Sequence, residues 1–497
     1  MSLLLQPRAA PGDRLQLWLG AFDRTSAPPL RWFLDGREAV PKALRPLASA
    51  REVPDMAAAG KPRVFTGVYE FDQGIEPGSS HEVQVEARQG GEVERSSPLR
   101  VRTLPARIPA GLNESFNVLL VSCFHQHEDK GGLAGNLISQ LPGAYRPHLT
   151  LLLGDQVYLD LPTLMSFRDR VDWLAAKFEE DYTANWRGPL GYCRVLSAAP
   201  SAGVPDDHEY WNNAPHPSPF IQNSWTVEGR ERWQRAARAL YEAFQLSQPG
   251  GYLEPLVLDV PPLSIFLMDN RTFRSPGLGS TLPVGVLEKF RAWGARLAAA
   301  QDPDEPRFGV VVTGQSLFEN PALGLQGKVA DRTLANYGDY GDIMATVMDL
   351  ARTGRPVLCI TGDVHYGRVT LARSTTGARL YEVISSPSSL VTTVGADQFS
   401  QLANGFRGIF GEKDPWPRHS AATEPPQMFS PKGLLHKLSC EMLYPKDKKK
   451  EKGNHVALLS FRAAGFGLEM RVSYWVIERS GKIGAPRELP PISLAPR

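Results

Sequence analysis

Four short polar stretches, each placed directly after an apolar run, contain the residue types that bind metal ions. Asp, His, Cys and Tyr supply the oxygen, nitrogen and sulfur atoms that hard and borderline metals take as ligands. In an open α/β sheet, ligands bind in the crevice beyond the carboxyl ends of the strands. Four such stretches in one region therefore predict a metal site of the kind that hydrolyses phosphate esters. The stretches are Ser122-Cys123-Phe124-His125, Gly154-Asp155-Gln156-Val157-Tyr158, Asp206-Asp207-His208-Glu209 and Gly362-Asp363-Val364-His365.

The combination carries this prediction, because each motif has a simpler interpretation by itself. A Gly-Asp pair after a strand is often only a turn, and a lone cysteine is usually a small core residue. Two metal ions about 3.5–4 Å apart hold a hydroxide and polarise a phosphoryl oxygen. Such a site needs ligands from several strand ends, including one shared carboxylate. Cys123, Asp155, Asp207 and the pair Asp363 and His365 each follow a strand-like run.

The 497-residue chain has the composition of a globular protein and a formal net charge of only +2. That charge gives no support for general nucleic-acid binding or for a membrane surface as partner. No apolar run approaches the ~18 residues of a membrane span. The four cysteines show no disulfide spacing, which indicates a reducing compartment. Because Leu3-Leu4-Leu5 is too short for a signal-peptide core and no twin arginine precedes it, we expect a cytoplasmic protein.

Residues 1–108 are predicted to form an N-terminal all-β domain. Leu15, Leu17 and Leu19 alternate with other residues, and Asp35-Gly36 is a hairpin-turn signal between apolar runs. Short strands at this spacing predict a β-sandwich, whose last hairpin resembles the end of a fibronectin III or Ig-like domain. A proline-containing linker at 104–109 ends the region.

Residues 109–497 change to an α/β pattern that is predicted to form the catalytic domain. Continuous apolar runs are typical of strands covered on both faces, and their alternation with amphipathic helices predicts a layered core. Residues 391–453 are rich in Gly, Pro and charge and predict a loop-rich insertion, and a final antiparallel pair follows it. The predicted strands of the layered core are 116–121, 148–153, 263–268, 309–313 and 356–361, and its predicted helices are 169–181, 231–244, 284–300 and 343–351.

Together the four motifs resemble those of the calcineurin-like metallophosphoesterases, and most closely those of the PhoD-like (alkaline phosphatase D) branch. That branch has Ser-Cys in place of the first Asp, then Gly-Asp-x-x-Tyr, Asp-Asp-His-Glu followed by an Asn pair, and Gly-Asp-Val-His. The segment 269–274 also looks like the branch's Asp-x-Arg-x-x-Arg, and the resemblance covers about residues 1–480. It implies an α/β fold, with a four-layer αββα metallophosphoesterase sandwich preceded by the small all-β sandwich domain.

The resemblance also implies a role for each motif residue. Cys123 and Tyr158 would ligate one metal, ferric iron, and Asp155 would bridge two metals. His208 takes the place of the catalytic histidine that faces the leaving group or a phosphoryl oxygen. Asp207 would ligate a metal and also count among the catalytic residues. The implied cofactors are Fe(III) and a divalent ion, one of Ca, Mn, Mg or Zn. The remaining implied ligands are Asp363, His365 and Asn213.

Two positions depart from the motifs of the wider superfamily. His125 lies two residues after Cys123, which restores the Asp-x-His spacing, so it is either an extra ligand or a histidine at the rim of the site. Gln315 stands where the wider superfamily has a metal-binding His. Because an amide is a poor ligand for a transition metal, we expect Gln315 outside the metal shell.

Three polar residues are candidates for contact with the substrate: Asn212, Arg271 and Arg274. An arginine can bind a phosphate group through two parallel hydrogen bonds. The simpler alternative is that Arg271 pairs with Asp269 and braces the end of its strand.

The sequence therefore favours hydrolysis of small-molecule phosphomonoesters, phosphodiesters or both by a hydroxide activated at a two-metal site. One alternative is a metal-binding or phosphate-ligand-binding protein that kept the fold and lost catalysis, and the retained motif residues argue against it. The other is a nuclease of the same superfamily, which the near-neutral charge disfavours. Typical members of the branch carry a twin-arginine signal, so extracellular phosphate scavenging is not expected here.

Overall fold

The computed structural model describes most of the chain. The described residues are 2–53, 55–57, 63–89, 91–111, 114–162, 167–188, 191–302, 304–319, 321, 331–390, 427–429, 438–445, 453–465 and 467–496.

The described elements are mainly strands, with helices concentrated between residues 133 and 352. In chain order the strands are β1 Leu3–Arg8, β2 Leu15–Arg24, β3 Leu30–Leu34, β4 Arg37–Ala39, β5 Lys42–Ala48, β6 Arg63–Phe71, β7 Ser80–Gln89, β8 Glu92–Arg95, β9 Leu99–Arg102, β10 Phe116–Val121, β11 Leu149–Leu153, β12 Ser201–Val204, β13 Val257–Val260, β14 Leu263–Leu267, β15 Phe308–Val312, β16 Val357–Thr361, β17 Arg368–Ser374, β18 Arg379–Ile384, β19 Gln427–Phe429, β20 Leu438–Tyr444, β21 His455–Ala464, β22 Gly467–Val476, β23 Arg487–Glu488 and β24 Ile492–Ser493. The helices are α1 Leu133–Gln140, α2 Val171–Arg187, α3 Tyr192–Ser197, α4 Val227–Phe244, α5 Val284–Ala299 and α6 Tyr340–Arg352.

Two large mixed sheets face each other across a shared apolar core. The first has the order β23-β22-β21-β10-β11-β12-β1-β2-β6-β5, with β24 beside β22, and the second β13-β14-β15-β16-β18-β17-β20-β19. Alternate residues of the central strands of both sheets meet in one buried cluster. The other face of the first sheet packs against α1 to α4, and that of the second against α5 and α6. The chain is thus a mixed α/β protein with its helices outside paired sheets.

The five predicted strands of the α/β region and the final antiparallel pair are confirmed. Central strands such as β10 are buried at every position, because helices cover one face and the opposite sheet covers the other. Within 391–453, where a loop-rich insertion is predicted, Gln427–Phe429 forms β19, and Leu438–Tyr444 forms β20 and pairs with β17. Most of 391–453 lies outside the described residues.

The N-terminal strands join the sheet that carries the predicted metal ligands. β1 pairs in parallel with β12, with Arg8 opposite Ser201, and in antiparallel with β2. A third sheet of β4-β3-β7-β8, with β9 beside β7, packs on the face of β1, β2 and β6. The strands up to β9 thus form two packed sheets, one continuous with the large sheet. The domain boundary at 108 stays a prediction.

Arg8 connects this N-terminal layer to the C-terminal end of α4. Its guanidinium is buried and donates to the carbonyl oxygens of Phe244 and Gln245, the latter at 3.1 Å. Burial lowers the pKa of Arg8 to about 9, and repulsion by Arg45 adds to this. The last carbonyls of a helix lack partners within the helix and favour a cation.

We expect Arg8→Leu to lower the free energy of unfolding by about 1.5–3 kcal/mol, the usual contribution of a hydrogen bond that involves a charged group. Urea denaturation of the full chain measures this. The matched control is Arg37→Leu on exposed β4, for which we expect a change within about 0.5 kcal/mol. Equal losses in the two variants would contradict the anchoring role of Arg8.

Within the described part of the chain, no helix is long and apolar enough to cross a membrane.

Candidate metal centre

The predicted ligands come together at the carboxyl ends of four strands. Cys123 follows β10, Asp155 follows β11, Asp207 follows β12, and Asp363 with His365 follows β16 of the opposite sheet. The first three strands are neighbours in one sheet, so their ends meet at one edge. The two sheets approach closely here: a Cβ built on Gly362 would lie 2.2 Å from the carbonyl oxygen of Leu153. The crevice between the sheet ends is therefore narrow and lined from both sides.

Four of these residues have left-handed backbone conformations, which L-amino acids rarely adopt. The φ angles are 50° at Cys123, 56° at Asp155, 62° at Asp363 and 56° at His365. Such conformations cost on the order of 1–3 kcal/mol each and cluster at functional sites. The chain turns sharply at each strand end, and the turn keeps the donor side chain beside the crevice.

The donor atoms form three groups, and within each group all atoms lie within 4.8 Å of one another. Asp155 belongs to all three, as expected for a carboxylate shared by two metals. The first group mixes sulfur, oxygen and nitrogen, which suits iron or zinc, and another holds carboxylates alone, which suits a harder cation. The groups are Cys123, Asp155 and His365; Asp155, Asp207 and His208; and Asp155, Asp206, Asp207 and Asp363.

The site concentrates negative charge in a mostly buried crevice, where Asp155, Asp206 and Asp207 are buried and Asp363 is half-buried. Burial raises the pKa of Asp155, and although His208 opposes this, Asp207 and Asp206 add to it. Burial also raises the pKa of Asp363, with the carboxylates of Asp206 and Asp207 adding to the effect. Carboxylates held this close favour either a proton or a cation. The donor set thus fits metal ions both by atom type and by charge.

Glu209 holds in place the two loops that carry Asp155 and Asp206. Its carboxylate accepts hydrogen bonds from the backbone nitrogens of Asp155 at 2.9 Å, Gln156 at 2.6 Å and Asp206 at 2.9 Å. Gln245 donates to the same carboxylate at 3.0 Å. Because Arg8 donates to the carbonyl of Gln245, the N-terminal layer is linked to these loops by successive buried hydrogen bonds.

His208 is oriented by Asp160, a residue that sequence reasoning missed. The imidazole Nδ1 lies 2.8 Å from Asp160 Oδ1, and the other carboxylate oxygen accepts from the backbone of Asn212 at 2.8 Å. The carboxylates of Asp160, Asp207 and Asp155 outweigh the effect of burial and raise the pKa of His208. With Nδ1 engaged, Nε2 is the nitrogen left to exchange a proton.

Tyr158 lies beside the first donor group, and its role as a metal ligand stays a prediction. Its hydroxyl is buried, and burial, then Cys123 and Asp155, raise its pKa. The centroid of the Tyr158 ring lies 4.3 Å from the centroid of the His208 ring and 5.5 Å from that of the His125 ring.

His125 is in none of the three donor groups, although it lies near them. Burial, with help from His127, lowers the pKa of His125 to about 4, so the ring is neutral. Its buried Nδ1 has no hydrogen-bond partner among the described residues. Whether His125 is a ligand stays a prediction.

The asparagine pair lies directly against the ligands. Asn213 has a φ of 74° and donates its backbone N–H to Asp207 Oδ2 at 2.9 Å. Asn212 is half-buried and is bound through its backbone to Asp160. That Asn213 ligates a metal and that Asn212 contacts the substrate both stay predictions.

The two candidate substrate arginines are engaged with protein groups. The guanidinium of Arg271 has Nη2 2.6 Å from both Asp206 Oδ1 and Asp331 Oδ2, so its ion-pair partner is not Asp269. Asp269 instead accepts from the backbone N–H of Arg271 at 3.1 Å and braces the strand end in that way. Arg274 donates to Gln315 Oε1 at 2.8 Å. Gln315 therefore belongs to this arginine network. Substrate contact by either arginine stays a prediction.

The two sheets approach closely at Gly362, and this gives a direct test of the packing. We expect Gly362→Ala to cost more than about 3 kcal/mol or to prevent folding, because its Cβ would also meet Ser122 Oγ at 2.4 Å. Gly285, in the first turn of α5, has no atom within 4 Å of a built Cβ. Gly285→Ala is the control and should be neutral or stabilising by up to about 1 kcal/mol. Tolerance of Gly362→Ala in thermal unfolding would contradict the close approach.

Comparison with known proteins adds evidence for the fold. No protein-family model matches the chain, and no curated protein matches it in sequence. A solved structure described as "Structure of PhoD" matches 97% of this chain and 88% of its own, with a TM-score of 0.58 and 13% identity. A second, "GAP50 the anchor in the inner membrane complex of Plasmodium", has a TM-score of 0.33 and 10% identity over 76% of this chain and 88% of its own.

The likeness to PhoD shows a shared fold. A TM-score of 0.33 is too low to show that GAP50 shares it. The chain therefore has a PhoD-like α/β fold with a cluster of Asp, His and Cys donors at its strand ends.

Proposed function

We propose that the protein is a two-metal phosphoester hydrolase, with the four-layer αββα sandwich of the PhoD-like metallophosphoesterases and a small all-β N-terminal domain. The observation that carries this proposal is the position of Asp155, which is common to all three donor groups. Its two carboxylate oxygens point to different neighbours. Oδ2 lies 3.3 Å from Cys123 Sγ, and Oδ1 accepts from the backbone of His208 at 3.3 Å. A carboxylate between two sets of donors is what a shared ligand requires.

The donor chemistry supports different metals on the two sides of Asp155. Cys123, His365 and Tyr158 offer sulfur, nitrogen and a phenol oxygen, which suit ferric iron. Asp207 and Asp363 offer oxygen alone, with Asn213 as a further candidate, and suit a divalent ion such as Ca, Mn, Mg or Zn. Asp206 is assigned a supporting role, because its Oδ1 is paired with Arg271.

The metal pair, when bound, supplies Lewis-acid chemistry that neutralises phosphoryl charge and lowers the pKa of water. The chain's own contribution is positioning and proton handling. Asp160 fixes one nitrogen of His208, so that the imidazole can hold a proton at Nε2 and give it to the departing oxygen. Glu209 keeps the loops that carry Asp155 and Asp206 rigid, so little reorganisation is needed when charge develops.

The proposed substrates are small-molecule phosphomonoesters, phosphodiesters or both, and the proposed location is the cytoplasm. The test is the hydrolysis of mono- and bis-nitrophenyl phosphate by the full chain, together with elemental analysis of the purified protein. We expect iron, or zinc if misloaded, plus a second divalent ion, and hydrolysis that chelation abolishes. Bound metal without hydrolysis of either substrate would favour the binding-protein alternative.

Cys123 provides a sharper test of the metal assignment. We expect Cys123→Ser to deplete the first metal, and Tyr158→Phe to bleach any visible charge-transfer colour, because a phenolate on ferric iron absorbs visible light. Elemental analysis and absorption spectra measure both. Full activity and unchanged metal content in Cys123→Ser would refute the sulfur ligand and leave the hydrolase proposal standing.

A further inference from the structure

A serine-rich loop, residues 385–389 after β18, binds the loop that carries Cys123. Ser388 Oγ donates to the carbonyl of Ser122 at 2.8 Å, and Ser389 Oγ donates to the carbonyl of His125 at 3.0 Å. These two hydroxyls satisfy backbone groups only. Ser386 is different, because its Oγ lies 3.0 Å from Cys123 Sγ.

A second hydroxyl reaches the same sulfur from its own loop. Ser122 Oγ lies 3.2 Å from Cys123 Sγ. Ser122, Ser386 and Cys123 are all fully buried, at 0% exposure. Two hydroxyl groups therefore contact one thiol where no solvent reaches it.

The other contacts of these atoms favour the two hydroxyls as donors, since the thiol proton of Cys123 is directed at Asp155 Oδ2. Ser386 Oγ accepts from the backbone N–H of His365 at 3.2 Å, and Ser122 Oγ accepts from that of Asp363 at 3.2 Å. A backbone N–H can only donate, so it leaves the single proton of each hydroxyl available for another acceptor. Cys123 Sγ is the acceptor within reach of both.

We propose that Ser386 and Ser122 are positioning residues that hold the Cys123 sulfur as a metal ligand by donating two hydrogen bonds to it. This inference rests on the metal centre of the proposed function. A thiolate buried 3.3 Å from a carboxylate oxygen of Asp155 is costly unless donors compensate its charge. The same hydroxyls bind the loop of Asp363 and His365, so one pair of serines aligns ligands from both sheets.

Hydrogen bonds to a ligand sulfur also change the metal. They withdraw electron density from the thiolate, which raises the energy of thiolate-to-metal charge transfer and tunes the metal's reduction potential. Loss of a hydroxyl should therefore have a spectroscopic effect that a loss of packing does not have.

The probe is Co(II) added to the metal-stripped full chain, followed by its thiolate-to-cobalt absorption in the near ultraviolet. We expect Ser386→Ala to shift this band to lower energy and to weaken Co(II) binding by about 10–100-fold, the usual effect of losing an outer-shell partner. Ser388→Ala is the matched control, since it removes a buried hydroxyl of the same loop that touches only a carbonyl. It should move neither the band nor the affinity.

Three further variants complete the test. Ser122→Ala should shift the band in the same direction. If metal-free Ser386→Ala does not unfold cooperatively and is therefore misfolded, the band of Ser122→Ala tests the inference in its place. Ser386→Thr keeps the hydroxyl and should restore the band. Cys123→Ser should abolish the band, which assigns it to this sulfur.

Equal bands and equal affinities in wild type, Ser386→Ala and Ser122→Ala would overturn the inference while leaving Cys123 a ligand. A wild-type protein that hydrolyses nitrophenyl phosphates but shows no thiolate band would overturn the inference and leave the hydrolase proposal standing. A wild-type protein with the band and no hydrolysis would overturn the proposed function alone.

Discussion

Asp155→Asn is expected to abolish phosphoester hydrolysis and, at the same time, to stabilise the metal-free protein. The carboxylate is fully buried, and Asp206 and Asp207 share a donor group with it. An amide has the same shape and can still accept from the backbone of His208 and face the Cys123 sulfur with its NH₂ group. It cannot bridge two cations as a charged carboxylate does. Activity should therefore fall by at least about 10³-fold, with metal content reduced.

The pH dependence of this variant follows from the pKa of Asp155. Burial and the neighbouring carboxylates raise it above the usual 3.8, although His208 opposes them. The folded metal-free protein then binds more protons than the unfolded chain, so Asp155 costs stability as the pH rises above about 4. The stability advantage of Asp155→Asn should be smallest near pH 4 and should grow toward neutral pH.

Urea denaturation of chelator-treated wild type and Asp155→Asn between pH 4 and pH 8 measures this difference. The control is Asp172→Asn, in the half-buried first turn of α2, where the carboxylate pairs with the exposed side chain of Arg170. It should leave hydrolysis unchanged and give no comparable rise of stability with pH. An Asp155→Asn variant that keeps wild-type kcat and metal content would refute the two-metal site.

The strand ends of the site were predictable because they depend on local signals. Apolar runs such as 149–153 predict buried strands, and the polar motif after each run marks the edge where ligands gather. The residues that orient the ligands gave no such signal. Asp160 lies only two residues after Tyr158, but its contact with His208 depends on a loop 48 residues away.

β1 shows the same limit for the fold. Leu3-Leu4-Leu5 is a short apolar run that suggested only a signal peptide too short to function. Its partner β12 begins about 200 residues later, and it is this pairing that joins the N-terminal sheet to the ligand-bearing one. Non-local pairing of this kind leaves no periodic pattern in the sequence.

β2 illustrates a related difference. The alternation of Leu15, Leu17 and Leu19 is typical of a strand with one solvent-exposed face. The first eight residues of β2 are nevertheless buried on both faces. The facing sheet covers the leucines, and the C-terminal end of α4 covers the other side, where Trp18 Nε1 donates to the carbonyl of Ala243 at 2.8 Å. Gln16 is buried there because it donates to Glu70 at 2.6 Å. Buried polar residues are hydrogen-bonded, so the burial of such a residue can be predicted only when its hydrogen-bond partner is known.

His208→Ala is expected to lower kcat by on the order of 10²–10³-fold with metal content retained. The imidazole belongs to the donor group of Asp155 and Asp207, but its Nδ1 is committed to Asp160, which leaves Nε2 for the substrate. If His208 acts on charge that develops in the transition state, its loss should affect kcat far more than KM. Steady-state kinetics and elemental analysis of the same samples measure both quantities. A fall in kcat matched by an equal fall in bound metal would make His208 a ligand instead.

Asp160→Asn separates the orientation of His208 from its presence. Asp160 ligates no metal in this proposal, so its charge keeps acting on the imidazole when the metals neutralise Asp155 and Asp207. Burial opposes protonation of His208, whereas Asp160, then Asp207 and Asp155, raise its pKa. Removing the Asp160 charge should therefore move the His208 limb of the pH–rate profile to lower pH, with a smaller loss of kcat than in His208→Ala. The limb should be missing from His208→Ala itself. A profile that keeps the wild-type limb in Asp160→Asn would show that this carboxylate only braces the loop of Asn212, whose backbone it also binds.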